Sequence, residues 1–281
     1  MDKQGFIDFN TRLSPENSGK ADSYARAIQI LDEVLPYQDV IDLHGQSLYE
    51  VNDTEVIEAI LHIVNDEVKK MKLQQQNIFD DYGKPNQRSY PLKSFCSAAL
   101  KSLKKYAQYM QDVYEADRIV AQEADPRSIS TRLIGHFNLT KEGEDIASES
   151  KRRKGQDYFR RMILTNYGGR CALTGIDIPQ LLLASHIIPW AEKAHKQDRL
   201  NPCNGICLSA LYDKAFDQGF ITFSPDDYSV ILSSALQEHK TAEYYNKHFG
   251  SIAGQKIQVP KDYAPKRDFL AYHRDHVFVG R

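Results

Sequence analysis

The stretch LLLASHIIPW, from Leu181 to Trp190, sets Ser185 and His186 inside an otherwise apolar, strand-like run. An imidazole fixed at the end of a strand suits a general base, because proton transfer needs a set distance and orientation. Further along, Asp213 and Asp217 lie four residues apart in LYDKAFDQG, a spacing that puts both carboxylates on one helix face. Such a pair can chelate one hard divalent cation, whose preference is for oxygen ligands. Asn204 precedes a glycine in the intervening loop. An imidazole near such a cation can deprotonate a water while the cation offsets charge building on a phosphate. Taken singly, each residue has an ordinary explanation: a core histidine, an Asn-Gly turn, an exposed charged helix face. Their order and spacing point to hydrolytic chemistry.

The elements that must hold these residues follow from local pattern. GQDYFRRMILTNYGG reads as an amphipathic helix closed by Gly168 and Gly169. CALTG and LLLASHII read as short strands, and NGICLSALYDKAFDQG as a helix. GFITFSPDDYSVIL reads as two strands around a turn at Ser224–Asp227. Ahead of this module, apolar residues recur at helical spacing in ADSYARAIQILDEV, in TEVIEAILHIVNDEVKKM and in YPLKSFCSAALKSLKKYAQYMQDVY. The division is a helical domain over 1–116, a charged linker over 117–154 with a short helix or two, and a second domain over 155–281. The fold class is α+β.

With 281 residues, 41% of them hydrophobic, the chain can bury one or two ordinary cores, and no apolar run approaches the ~20 residues of a membrane helix. The first ten residues carry neither the basic nor the apolar region of a secretory signal, so the expected location is a cytoplasm. Four cysteines without a CxxC pair exclude a disulfide framework. The net charge of −2 conceals a division: residues 1–150 carry 17 Lys+Arg against 25 Asp+Glu, and residues 151–281 carry 19 against 13. A basic second half suits a polyanion, and the acidic first half suits protein contacts or a solvated surface.

RCALTGIDIPQLLLASHIIPWAEKAHKQDRLNPCNGICLSALYDKAFDQGFITF resembles the catalytic core of the HNH endonucleases, in a bacterial restriction or defence branch. The resemblance rests on C-x-x-T-G, on A/S-H-I-I-P-W, on L-N-P-x-N-G and on L-x-A-L-x-D-K-A-F-D-x-G, and spans about residues 155–235. It implies a ββα-metal fold and hydrolysis of DNA phosphodiesters with one divalent ion, leaving a 5′-phosphate and a 3′-hydroxyl. It also implies roles: His186 as general base, Asn204 as the brace that orients it, and Asp213 and Asp217 as metal ligands. Lys214, Arg160, Arg161 and Arg170 are the basic residues expected on backbone phosphates. DNA is then the expected partner, with a homodimer for a double-strand break and a regulatory or defence protein as a further partner.

Two features depart from the family. The position before the base is commonly Asp or His; here it is Ser185, a weaker donor, which leaves the ion to Asp213, Asp217 and water and favours Mg²⁺ or Mn²⁺. The paired CxxC motifs of many members are missing around Cys171, Cys203 and Cys207, so no structural zinc is expected. Ser185 also favours a second class of function, a catalytically weak module that binds nucleic acid or a protein partner without cutting. The base, the asparagine and both carboxylates, present together, favour the enzyme. On this reading a fragment starting near Ser150 folds and cuts DNA, while the acidic half sets specificity, association or restraint.

Overall fold

The computed structural model describes residues 1–14, 18–35, 43, 45–80, 82, 89–139 and 146–280, with only the backbone of 146–150. The chain forms two compact units, Met1–Tyr114 and Glu115–Arg281. It is a mixed fold, mostly helical with two small sheets. No helix among the described residues is long and apolar enough to cross a membrane.

The first unit is built from α1 (Lys3–Arg12), α2 (Lys20–Val34), α3 (Thr54–Lys72), the single turn α4 (Ser89–Leu92) and most of α5 (Phe95–Gln122). Helix α3 shows why the sequence pattern is legible. The Asp53 carboxylate caps it by accepting from the Glu55 and Val56 amides, and three lysines in the last turn complement the helix dipole. Its apolar face buries Ile57, Ile60, Leu61, Val64 and Val68. Lys104 of α5 is paired with Glu58 of α3 at 2.8 Å.

The boundary between the units falls inside α5, so Asp117–Gln122 are helical rather than linker. Residues 126–136, within the segment expected as a charged linker with a short helix or two, form α6 (Pro126–His136), capped by Asp125, which accepts from the Ser128 amide, with proline at its first position. Helix α6 buries Ile129, Ser130, Leu133 and Ile134 and packs on the 3-10 turns Lys193–Asp198 and Pro202–Asn204. α7 (Ile146–Asn166) begins inside the expected linker, of which 140–145 lie outside the described residues. This segment reads as polar because each helix buries only one narrow stripe. Gly168 and Gly169, both at positive φ, close α7 as its sequence indicates.

Strand β1 (Leu182–His186) pairs antiparallel with β2 (Gly205–Ser209), in a register that sets Ser185 opposite Ile206 and His186 opposite Gly205. The expected partner, CALTG, is instead a turn: the Cys171 amide donates to Ile176 O, the Gly175 amide to Cys171 O, and the Ala172 amide to Cys207 O. The first residues of NGICLSAL are strand and not helix. All five residues of β2 are buried, and a fully buried strand loses the alternation that would distinguish it from a helix. Helix α8 is consequently shorter, Ala210–Asp217. Both α7 and α8 pack on the hairpin. β3 (Ile221–Phe223) and β4 (Val230–Leu232) pair around the Ser224–Asp227 turn, and α9 (Glu243–His248) and α10 (Arg267–His276) complete the unit.

Candidate active site

Successive residues of a strand face opposite ways, and at the end of β1 this separates the two polar side chains. Ser185, 2% exposed, turns toward α8 and donates its hydroxyl to Asp213 Oδ1 at 2.6 Å. His186 turns toward α7, where its ring stacks on Phe159 with centroids 3.8 Å apart and planes 14° from parallel. Trp190 closes on the same imidazole nearly perpendicularly at 5.5 Å.

The Nε2 of His186 lies 3.0 Å from the carbonyl oxygen of Arg199, which only an Nε2–H tautomer can satisfy. Nδ1 thereby keeps its lone pair. It makes no hydrogen bond among the described residues and is not a sealed, unpartnered atom. Desolvation pushes the imidazole down to about 4; the Arg199 carbonyl opposes that shift and the Arg199 guanidinium adds to it. The ring is therefore neutral across the neutral range, in the form that accepts a proton.

Asn204, 1% exposed, holds the loop that carries this carbonyl. Its Oδ1 accepts from the Ile188 amide at 2.9 Å, and its Nδ2 donates to Ile188 O at 3.3 Å and Asp198 O at 3.0 Å. Its own carbonyl accepts from the Ile187 amide at 3.0 Å. Asn204 thus ties Ile187 and Ile188, just after β1, to Asp198 and does not touch the imidazole, and Arg199, next to Asp198, presents the anchoring oxygen. The Arg199 side chain is also fixed, donating from Nε to Trp190 O at 2.9 Å with its guanidinium over the indole at 5.3 Å. From outside the loop, the buried Ser130 hydroxyl oxygen of α6 accepts from the Leu200 amide at 3.2 Å.

On the other face, Asp217 follows Asp213 by one turn of α8. Its carboxyl is pushed up to about 6, first by desolvation and then by the Asp213 carboxylate, with Lys214 pulling the other way. Lys214 is exposed on the same helix. The expected phosphate contacts fare differently. Arg160 is spent inside the unit, donating from Nη1 to Leu182 O and from Nη2 to Pro179 O. Arg161 pairs with Asp117 and Arg170 with Asp177, each at 3.4 Å on the surface. Of the four, only Lys214 has a side chain with no ion pair or hydrogen bond among the described residues, its charge acting at longer range on Asp217.

Among the described residues no three His, Cys, Asp or Glu side chains form a metal-holding cluster. Cys171 Sγ accepts instead from the Ser209 and Thr174 amides, and burial pushes the Cys207 thiol up to about 12. His273 is a satisfied core residue, hydrogen-bonded to Thr222 Oγ1 and Phe216 O and stacked on Phe216.

Phe159, Gly205 and the Arg199 carbonyl are the parts of this arrangement that sequence reasoning missed. Phe159 carried only the signal of an apolar helix position, and a backbone oxygen carries none.

Residues 171–224, which hold β1, its loop, β2, α8 and β3, match the family model described as HNH endonuclease. The second unit therefore contains a domain of the HNH endonuclease family, which indicates a nuclease and a nucleic-acid substrate. No curated protein matches the chain.

Proposed function

We propose that the protein is a divalent-metal-dependent DNA endonuclease and that the β1–β2 hairpin with α8 is its ββα-metal unit. The observation that carries the reading is the anchored imidazole. With Nε2–H committed to Arg199 O, the neutral ring offers Nδ1 as the one acceptor for a proton from water. The attacking water loses that proton to His186 as its oxygen bonds to phosphorus, the bond from phosphorus to the 3′-oxygen breaks, and the departing 3′-oxygen takes a proton from solvent to become the 3′-hydroxyl. Asn204 keeps the anchor from moving while the ring takes up charge.

Ser185 Oγ, Asp213 and Asp217 are the residues that would hold the ion. The 2.6 Å approach of Ser185 to Asp213 brings two oxygen donors together, Asp217 follows one turn on, and this hard set suits Mg²⁺ or Mn²⁺ with water completing the shell. The ion, when bound, would supply positive charge for the phosphate in the transition state, and that phosphate must lie across the end of β1 to meet both His186 on the α7 side and these oxygen ligands on the α8 side. One such site cuts one strand, so a double-strand break requires two copies or two visits, and restriction or defence is the setting this chemistry fits.

The test is nicking of supercoiled plasmid by the full chain with Mg²⁺ or Mn²⁺, with EDTA and His186→Ala as controls. Metal-dependent nicking lost in His186→Ala supports the proposal. Nicking at full rate by His186→Ala discards the mechanism, and DNA binding without cleavage under either ion leaves the non-cutting module as the function.

A further inference from the structure

We propose that Phe159 and Gly205 together position His186: the phenyl ring on α7 sets the plane of the imidazole, and the missing side chain at 205 leaves the space in which Ile163 and the phenyl ring of α7 both pack. Phe159 lies outside the matched segment 171–224.

The geometry is specific. Gly205 is the cross-strand partner of His186, and directly paired residues project to the same face of a sheet. A Cβ at 205 would sit 2.5 Å from Ile163 Cδ1 and 2.7 Å from Phe159 Cζ, well inside contact distance. Backbone freedom is not the reason for glycine, since Gly205 is extended at φ −138° and ψ 147°, where any residue fits. The reason is the close approach of α7. Phe159 is 1% exposed and its ring lies parallel to the imidazole at 3.8 Å, so the imidazole cannot rotate without displacing a packed ring. The Arg199 carbonyl fixes one edge of the imidazole, the Phe159 ring its face, and Trp190 the approach from the side.

The inference rests on the proposed nuclease reading for its kinetic consequence only. The test uses the full chain and the variants Phe159→Leu, Phe159→Met, Gly205→Ala and Phe159→Leu with Gly205→Ala. The first readout is nitrogen and carbon NMR of the imidazole at about pH 8, above the ordinary histidine range, with His186→Ala assigning the signal. The wild-type ring should be a single Nε2–H tautomer, and each variant should give a mixture. The second readout is single-turnover nicking. Misplacement by about 1 Å should cut the rate constant by about 10–100-fold, with the half-saturating DNA concentration unchanged. The double variant should be no slower than the slower single one, because both substitutions disturb one contact.

A wild-type tautomer in folded Phe159→Leu and Phe159→Met, or single effects that multiply in the double variant, overturns the inference. Should Phe159→Leu fail to fold, Phe159→Met and Gly205→Ala decide by the same readouts. A wild-type chain that does not nick DNA sinks the nuclease reading, while the tautomer readout still decides whether Phe159 positions His186.

Discussion

Replacement of Asn204 is the most informative single perturbation of the loop. Its side chain makes three hydrogen bonds to backbone atoms of Ile188 and Asp198 in a place with almost no access to water. Asn204→Ala removes all three and leaves one amide and two carbonyls without that partner. At about 1 kcal/mol net for each bond, the expected loss is about 3 kcal/mol, and more where water cannot enter to re-solvate the orphaned groups. Asn204→Asp is the sharper variant because it keeps the shape. The carboxylate still accepts from the Ile188 amide, but a second anionic oxygen now faces the carbonyls of Ile188 and Asp198. An uncompensated buried charge costs about 3–5 kcal/mol. Protonation restores one donor, so the Asn204→Asp defect should be largest at neutral pH and ease as the pH falls. The assay is urea unfolding of wild type and both variants at two pH values, beside nicking rates under native conditions. Catalysis should fall in both variants, because freeing Asp198 O frees the adjacent Arg199 carbonyl that fixes His186. Asn204→Ala within about 0.5 kcal/mol of wild type and cutting at full rate would refute the reasoning, since such values belong to unconstrained surface sites.

Three further outcomes are expected. The sequence predicts that a chain starting near Ser150 folds alone, but such a chain lacks α6 and the burial of Ile129, Leu133 and Ile134, worth about 1.5–3 kcal/mol per side chain; it should instead be unfolded by circular dichroism, whereas a chain starting at Glu115 should fold. His186 and His273 are both pushed down to about 4 by burial, below the ordinary value of about 6.5, so as pH falls the unfolded chain takes up protons first. Their contribution is fully present above about pH 6.5 and is lost between there and about pH 4, at most about 3 kcal/mol each, which urea midpoints across that window will show and a flat profile would contradict. Arg160→Ala should lower stability by about 1–3 kcal/mol and leave the salt dependence of DNA binding unchanged, because its guanidinium is bound to Leu182 O and Pro179 O. Lys214→Ala should do the reverse, reducing the slope of log K against log salt by about one in fluorescence anisotropy.

Much of this protein was written in residue type and spacing. The apolar stripe and Asp53 cap of α3, the glycines closing α7, and the turn between β3 and β4 are local signals, set by contacts within a few residues. The motif carriers, His186 with its neighbouring Ser185, Asn204, and the Asp213–Asp217 pair, were legible for the same reason. What they touch was not. The pairing partner of β1 could not be read, because Gly205–Ser209 is buried on both faces and shows no period. Arg160 looked like a free cation until the fold brought two backbone carbonyls to it. The glycine after Asn204 looked like a turn residue, yet its role comes from a helix some forty positions earlier in the chain. The tautomer of His186 depends on a carbonyl supplied by a loop that Asn204 and Ser130 brace from separate elements. Local chemistry selects which side chains are capable of acting; only long-range packing decides which of their atoms are occupied, which are desolvated and which remain open to a substrate.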